Sequence, residues 1–229
     1  MGRSRFPLAV ALLAATAASA APRAAAADGC PLPDGADPGL ADVPDAARLE
    51  FLRTALADEA GPVRTWTGLW GAGYLMLATT QVAAAPALPA ANRPGLWLGA
   101  GGAGLGLAVL TILPLGVQEH GPILDAYARA LGPEASPCAL IARGERWLEL
   151  DAGDEEFGTS WLVHVGSVVV NAALALTIGF AFHDWLSAGI AAGVGLAVGE
   201  TMVLTQPTAL IDAWERYRTA GGAEAWPSR

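Results

Sequence analysis

Polar and apolar positions along the chain fall into blocks. Four long apolar stretches, at about 65–85, 95–117, 161–182 and 186–206, are separated by polar segments, the longest of them 118–160, and only the last of the four apolar stretches holds a charged residue, Glu200. The clearest is Trp161 to Phe182, 22 residues without Asp, Glu, Lys or Arg. At about 1.5 Å per residue, a helix of that length covers roughly 33 Å, enough for a bilayer core of about 30 Å. A helix in water needs a polar face, and this stretch has none. The pattern predicts an all-α fold, a four-helix transmembrane bundle with short amphipathic helices on one surface. Within lipid such helices satisfy their own backbone groups.

The polar blocks carry shorter helical patterns. Between Asp45 and Ala60, Leu49, Leu52 and Leu56 recur at helical spacing, and Gly61-Pro62 is expected to end that helix. Residues 118–160 contain nine acids and three arginines. Two amphipathic helices are expected there, on either side of Gly132-Pro133. In the tail, 207–229, Leu210, Ile211, Trp214 and Tyr217 mark one side of a short helix from Ala209 to Arg218.

Small and aromatic residues refine the picture. Trp66, Trp70 and Tyr74 open the first span, and Trp97, Trp161 and Trp185 lie near other span ends, as interfacial belts do. Gly95/Gly99, Gly102/Gly106, Gly189/Gly193 and Gly195/Gly199 are small-xxx-small pairs, which let helices approach closely within one chain or between copies. The GAGGAGLG run inside the second span follows no strand, so it is no dinucleotide loop.

Residues 1–20 read as a secretory signal: Arg3 and Arg5, a short apolar run, then Ala18-Ser19-Ala20. Cys30 lies too far beyond that run to be a lipid-attachment site. Residues 21–64 are expected to form an extracytoplasmic linker and the first amphipathic helix. Residues 65–206 form the bundle with its acidic loop 118–160.

Composition agrees with a membrane protein. The chain is 53% hydrophobic and 15% charged, against about 25% charged in soluble domains. Its net charge of -9 argues against a basic nucleic-acid footprint. A signal at the start places residues 21–64, the loop 118–160 and the tail outside the cytoplasm, in a bacterial inner membrane. Cys30 and Cys138 then share an oxidising compartment, which permits a disulfide. The positive-inside rule points the other way, since only Arg93 would face the cytoplasm.

The candidate chemistry lies near one membrane surface. His164 and Asn171 are seven residues apart on one helix face, with Ser167 between them. Glu200, near the end of the antiparallel fourth span, is level with His164. Glu119 and His120 close the second span on the same side. A carboxylate beside a histidine inside lipid suggests proton handling or interhelical pairing. A divalent metal at His120, His164 and Glu200 is the alternative, because two histidines and a carboxylate form a zinc set. No other cofactor is expected. Asn171, near mid-membrane, is expected to hydrogen-bond between helices. Asp151, Asp154, Glu155 and Glu156 are expected to be a solvated acidic run, and His183 a solvated turn residue. There is no GxSxG, HExxH or CxxC motif.

These features point first to a non-enzymatic scaffold or accessory subunit. Its partners are the bilayer and another membrane protein, or a second copy through Gly-rich faces. A small carrier or channel using the Glu200/His164 pair is one alternative. An intramembrane metal-dependent lipid-modifying enzyme is the other.

Overall fold

The computed structural model describes residues 29–132, 136–220 and 226. The expected signal, 1–20, lies outside them. The described residues are helical, with no strand: α1 (Asp45–Ala84), α2 (Arg93–Ile112), α3 (Val117–Leu131), α4 (Pro137–Gly158), α5 (Trp161–Phe182), α6 (Trp185–Leu204) and α7 (Ala209–Arg218). Three helical stretches are long and apolar enough to cross a membrane. They begin at Arg93, Trp161 and Trp185, and little of their apolar surface is buried within the chain. The apolar half of α1 is not among them.

Two layers follow from the burial pattern. The first half of α1 packs with α3, α4 and α7 into a helical cap. Its core is Leu52, Leu56, Val63, Val117, Leu124, Ile141, Leu148, Leu210 and Tyr217. The second half of α1 packs on α2, α2 touches α5 and α6, and α5 pairs with α6. Here the exposed side chains are large and apolar, such as Leu69, Ile112, Val169, Phe180 and Leu204, a surface suited to lipid.

Gly61-Pro62 does not end the first helix, contrary to the expectation from sequence. α1 runs through both residues for 40 residues, roughly 60 Å. Proline excludes the α conformation at the preceding residue mainly through that residue's Cβ, and Gly61 has none. Glu59, Ala60 and Val63 are buried on either side, and packing against the cap carries the helix on through the proline.

The second apolar stretch departs from expectation in the other direction. α2 stops at Ile112, and Leu113-Pro114-Leu115-Gly116 turns the chain into a separate helix, α3. Pro122 lies inside α3 and leaves the Gln118 carbonyl without its helical donor. Arg64 of α1 reaches that carbonyl, Nη2 to O 3.5 Å, and the Gln118 side chain donates from Nε2 to Thr67 Oγ1 at 3.0 Å. Gly121 lets α3 close on α1: a Cβ there would lie 2.6 Å from the Leu56 carbonyl oxygen.

α5 and α6 form a tight antiparallel hairpin. His183 adopts a left-handed conformation at φ 56° and is exposed, and Asp184 caps α6 by accepting from the Ser187 N–H at 3.0 Å. The glycine pairs divide by role. Gly195 and Gly199 lie under Asn171 and Ser167 of α5, and Gly99 and Gly106 lie under Gln81 and Tyr74 of α1. Gly189 and Gly193 face open space.

Candidate functional site

His164 and Glu200 meet where the start of α5 passes the end of α6. His164 Nδ1 lies 2.5 Å from Glu200 Oε2, and both side chains are about one-third exposed, at 36% and 33%. The second carboxylate oxygen, Oε1, is buried without a hydrogen bond, as is Ser167 Oγ one turn further into α5. Gly199 makes room for that serine, since a Cβ there would come within 2.7 Å of its Oγ. Asn171 does not bond across the helices as expected. Its Nδ2 donates to the Ser167 carbonyl of its own helix at 2.9 Å, while Oδ1 packs on Gly195.

Glu119 and His120 do not join this pair. Because α3 starts afresh at Val117 and lies on α1 and α4, His120 points to Asp151, with Nδ1 at 2.8 and 3.0 Å from the two carboxylate oxygens. The imidazole stacks on Trp147 at 4.8 Å and 8°. Glu119 is exposed. The set His120, His164 and Glu200 is therefore not assembled. Among the described residues, the one group of three His, Cys, Asp or Glu donors within 4.8 Å of one another is Cys30, Asp45 and Cys138. Its two sulfurs form a disulfide, S–S 2.05 Å, and supply no thiolate for a metal.

The strongest polar clustering lies in the cap and comes from residues that apolar periodicity alone does not single out. Arg48 is 1% exposed. It donates to Glu145 Oε1 at 2.6 Å, to the Tyr217 hydroxyl at 3.1 Å, and to the carbonyls of Cys30 and Pro31 at 3.0 and 2.9 Å. Tyr217 in turn donates to Glu145 Oε1 at 2.5 Å. Burial opposes the guanidinium charge, but Tyr217 and Glu145 outweigh it and leave the Arg48 pKa above its ordinary value. Burial pushes the Tyr217 hydroxyl well up, so it stays a donor. Asp45 accepts from the Cys30 N–H at 3.2 Å, and the disulfide ties Cys30 to the first turn of α4.

Two members of the acidic run expected in solvent are buried instead. Asp151 is 1% exposed and Glu155 fully buried, while Asp154 and Glu156 face out. A helix in which every third or fourth residue packs inward buries whatever stands on that face. Burial raises the Asp151 carboxyl to about 6, with His120 acting in the opposite sense. Glu155 accepts from the Leu210 N–H at 2.9 Å at the start of α7, and burial raises its pKa to about 8. Glu59 of α1 reaches the adjacent amide, Ala209, and burial raises its pKa too. Helix amides favour the charged form, yet desolvation is the larger effect for both acids.

The sequence signal for these groups is their register. Arg48 and Glu59 share the inward stripe of α1 with Leu52, Leu56 and Val63, and Glu145, Asp151 and Glu155 share that of α4 with Ile141 and Leu148. No family model, curated protein or solved structure matches the chain.

Proposed function

We propose that this protein is a non-enzymatic scaffold or accessory subunit of a bacterial inner membrane, which holds an acidic cap at a fixed height for a partner with a basic surface. In this reading the second half of α1 is a fourth span beside α2, α5 and α6. The first 20 residues export the cap, and the disulfide belongs to the oxidising side. The observation that carries the proposal is the continuity of α1. One 40-residue helix runs from the middle of the cap core into the apolar layer, so cap and anchor move together. The cap directs its basic anchor, Arg48, inward. It presents Glu50, Asp58, Asp125, Glu149, Asp154 and Glu156 outward. Between α1 and α3, Glu50, Asp58 and Asp125 rim a shallow groove of about 400 Å³, with Arg53 beside Asp125 at 3.1 Å.

The test is site-specific photo-cross-linking from Thr54 and Ala57, which line the same groove, in intact membranes. The reading expects one partner, lost when Glu50, Asp58 and Asp125 are changed to lysine and weakened by salt, as exposed charge pairing is. It also expects capture to survive Glu200→Gln. A partner captured equally by the charge-reversed chain would overturn acidic docking.

A second reading is favoured by the buried, unpartnered Oε1 of Glu200. A carboxylate held by one histidine with a free oxygen is suited to taking up and releasing a proton, as in a small proton-linked carrier. That reading expects Glu200→Gln to abolish pH-gradient-driven flux in proteoliposomes while the chain still folds.

A further inference from the structure

Cys30, Asp45 and Cys138 bring two sulfurs and a carboxylate within 4.8 Å of one another. Cys30 stands before α1, Asp45 opens α1, and Cys138 lies in the first turn of α4. The disulfide joins the two sulfurs, and Asp45 Oδ2 lies 3.0 Å from the Cys30 sulfur. Bonds other than the disulfide hold all three in place. The Cys30 N–H donates to Asp45 at 3.2 Å, and Arg48 donates to the Cys30 carbonyl at 3.0 Å. Ser136 caps α4 by accepting from the Cys138 N–H at 3.3 Å. The following turns of α4 bury Ile141 and Glu145 in the cap. The sulfurs therefore stay neighbours when the bond between them opens. Their Cα atoms, 5.0 Å apart, leave room for the sulfurs to separate to about 3.8 Å, the spacing of two Zn–S bonds of about 2.3 Å at a tetrahedral angle.

We propose that the reduced chain binds one zinc-class divalent ion through Cys30, Cys138 and Asp45, so that a metal replaces the disulfide as the tie between the segment before α1 and the start of α4. The reductant is a dithiol. Its first sulfur attacks Cys138, the more exposed of the two cysteines, and Cys30 leaves as the thiol. Its second sulfur then resolves the mixed disulfide and releases Cys138. The reductant departs as a disulfide, and its two protons end on the two cysteines. The ion displaces both protons and takes two thiolates and the Asp45 carboxylate, and water completes the tetrahedron.

The surroundings suit that ion. The N-terminus of α4 favours a thiolate at Cys138. Two thiolates cancel a divalent charge, so the cluster with Asp45, Arg48 and Glu145 has the same net charge in both states. Arg48 remains the counter-ion, 3.5 Å from Asp45. Sulfur ligands select zinc and related ions over calcium and magnesium, which take oxygen. Three protein ligands leave the fourth position open, so the ion can exchange. The disulfide ties the cap in an oxidising compartment, and the metal ties it in a reducing one.

The experiment uses the full chain in detergent, reduced with a phosphine and freed of metal. Cobalt is the probe, because thiolate-to-cobalt charge transfer and tetrahedral d–d bands report ligand type and geometry together. The expected result is one cobalt per chain in the reduced wild type, displaced by zinc, and none in the oxidised chain or in Cys138→Ser. Asp45→Ala, with its oxidised cap still folded by near-ultraviolet dichroism, should weaken cobalt binding by about 10-fold or more. In a urea titration, zinc should raise the unfolding midpoint of the reduced wild type and leave the double variant, Cys30→Ser with Cys138→Ser, unchanged. Should the reduced cap open without metal, zinc should restore its near-ultraviolet dichroism, since binding and folding are then one equilibrium. Absence of the cobalt bands from the reduced wild type would overturn the site. So would an affinity indifferent to Asp45→Ala, which would mark two adventitious thiols, or a reduced cap whose folding ignores zinc.

Discussion

Breaking the buried Arg48–Glu145 pair one partner at a time should cost far more than removing both. Glu145→Leu leaves the guanidinium 1% exposed with no anion within reach other than Asp45 at 3.5 Å. Stranding a buried charge in this way costs about 3–5 kcal/mol. Arg48→Met strands Glu145, which keeps only the Tyr217 hydroxyl, and frees the carbonyls of Cys30 and Pro31. Its cost is of the same size, about 3–5 kcal/mol. With both replaced, no charge remains buried, and the cost falls to the freed Cys30 carbonyl and the Tyr217 hydroxyl, about 1–3 kcal/mol each. The two single costs, summed, therefore exceed the cost of the double by several kcal/mol. The assay is urea unfolding of the cap in detergent, with the disulfide intact, followed by near-ultraviolet dichroism of Trp214 and Tyr217. Additive costs, within about 0.5 kcal/mol, would show that the two side chains do not sense each other and would refute the reasoning.

Three further outcomes are expected. Replacing Cys30 and Cys138 by serine opens a loop with a sequence separation of 108. It should lower cap stability by up to about 5 kcal/mol, matched by wild type in reductant in the same urea titration. Asp151 is raised to about 6 from an ordinary 3.8, so its contribution is full below 3.8 and fades as pH rises through about 6. The unfolding midpoint of Asp151→Asn, tracked from pH 3.5 to 7, should lack that decline. Gly195→Leu drives a side chain into Asn171 and should lower the melting temperature in detergent, with partial recovery when Asn171→Ala is added.

α5 and α7 were legible because each carries one pattern throughout. Trp161–Phe182 has no interruption, and the α7 stripe of Leu210, Ala213 and Tyr217 keeps its spacing to the end. The breaks were harder to place, because a proline's effect depends on what surrounds it. Pro62 follows a glycine and lies between buried residues, and α1 passes through it. Pro122 is tolerated because Arg64, distant in sequence, supplies a donor to the carbonyl it frees. Leu113 and Pro114 are exposed, and there the chain does bend. Propensity is local, and the partner that overrides it is not.

The same reasoning explains which polar groups could be read from sequence. His164 and Glu200 stand out because everything around them is apolar, and two adjacent antiparallel helices fix their depth to within a turn. Arg48, Glu59, Asp151 and Glu155 stand in charged surroundings, where an acid or an arginine is unremarkable. Only the register separates them from their exposed neighbours: Asp154 and Glu156 flank Glu155 and face water. Each buried group is also answered by a helix far along the chain. Arg48 is matched by α4 and α7, Asp151 by α3, and Glu155 by the start of α7. Such a charge is affordable only once its partner is in place, so the cap closes as a unit. The disulfide then retains, in the unfolded chain, the proximity of Cys30 to α4 that the Arg48 cluster requires.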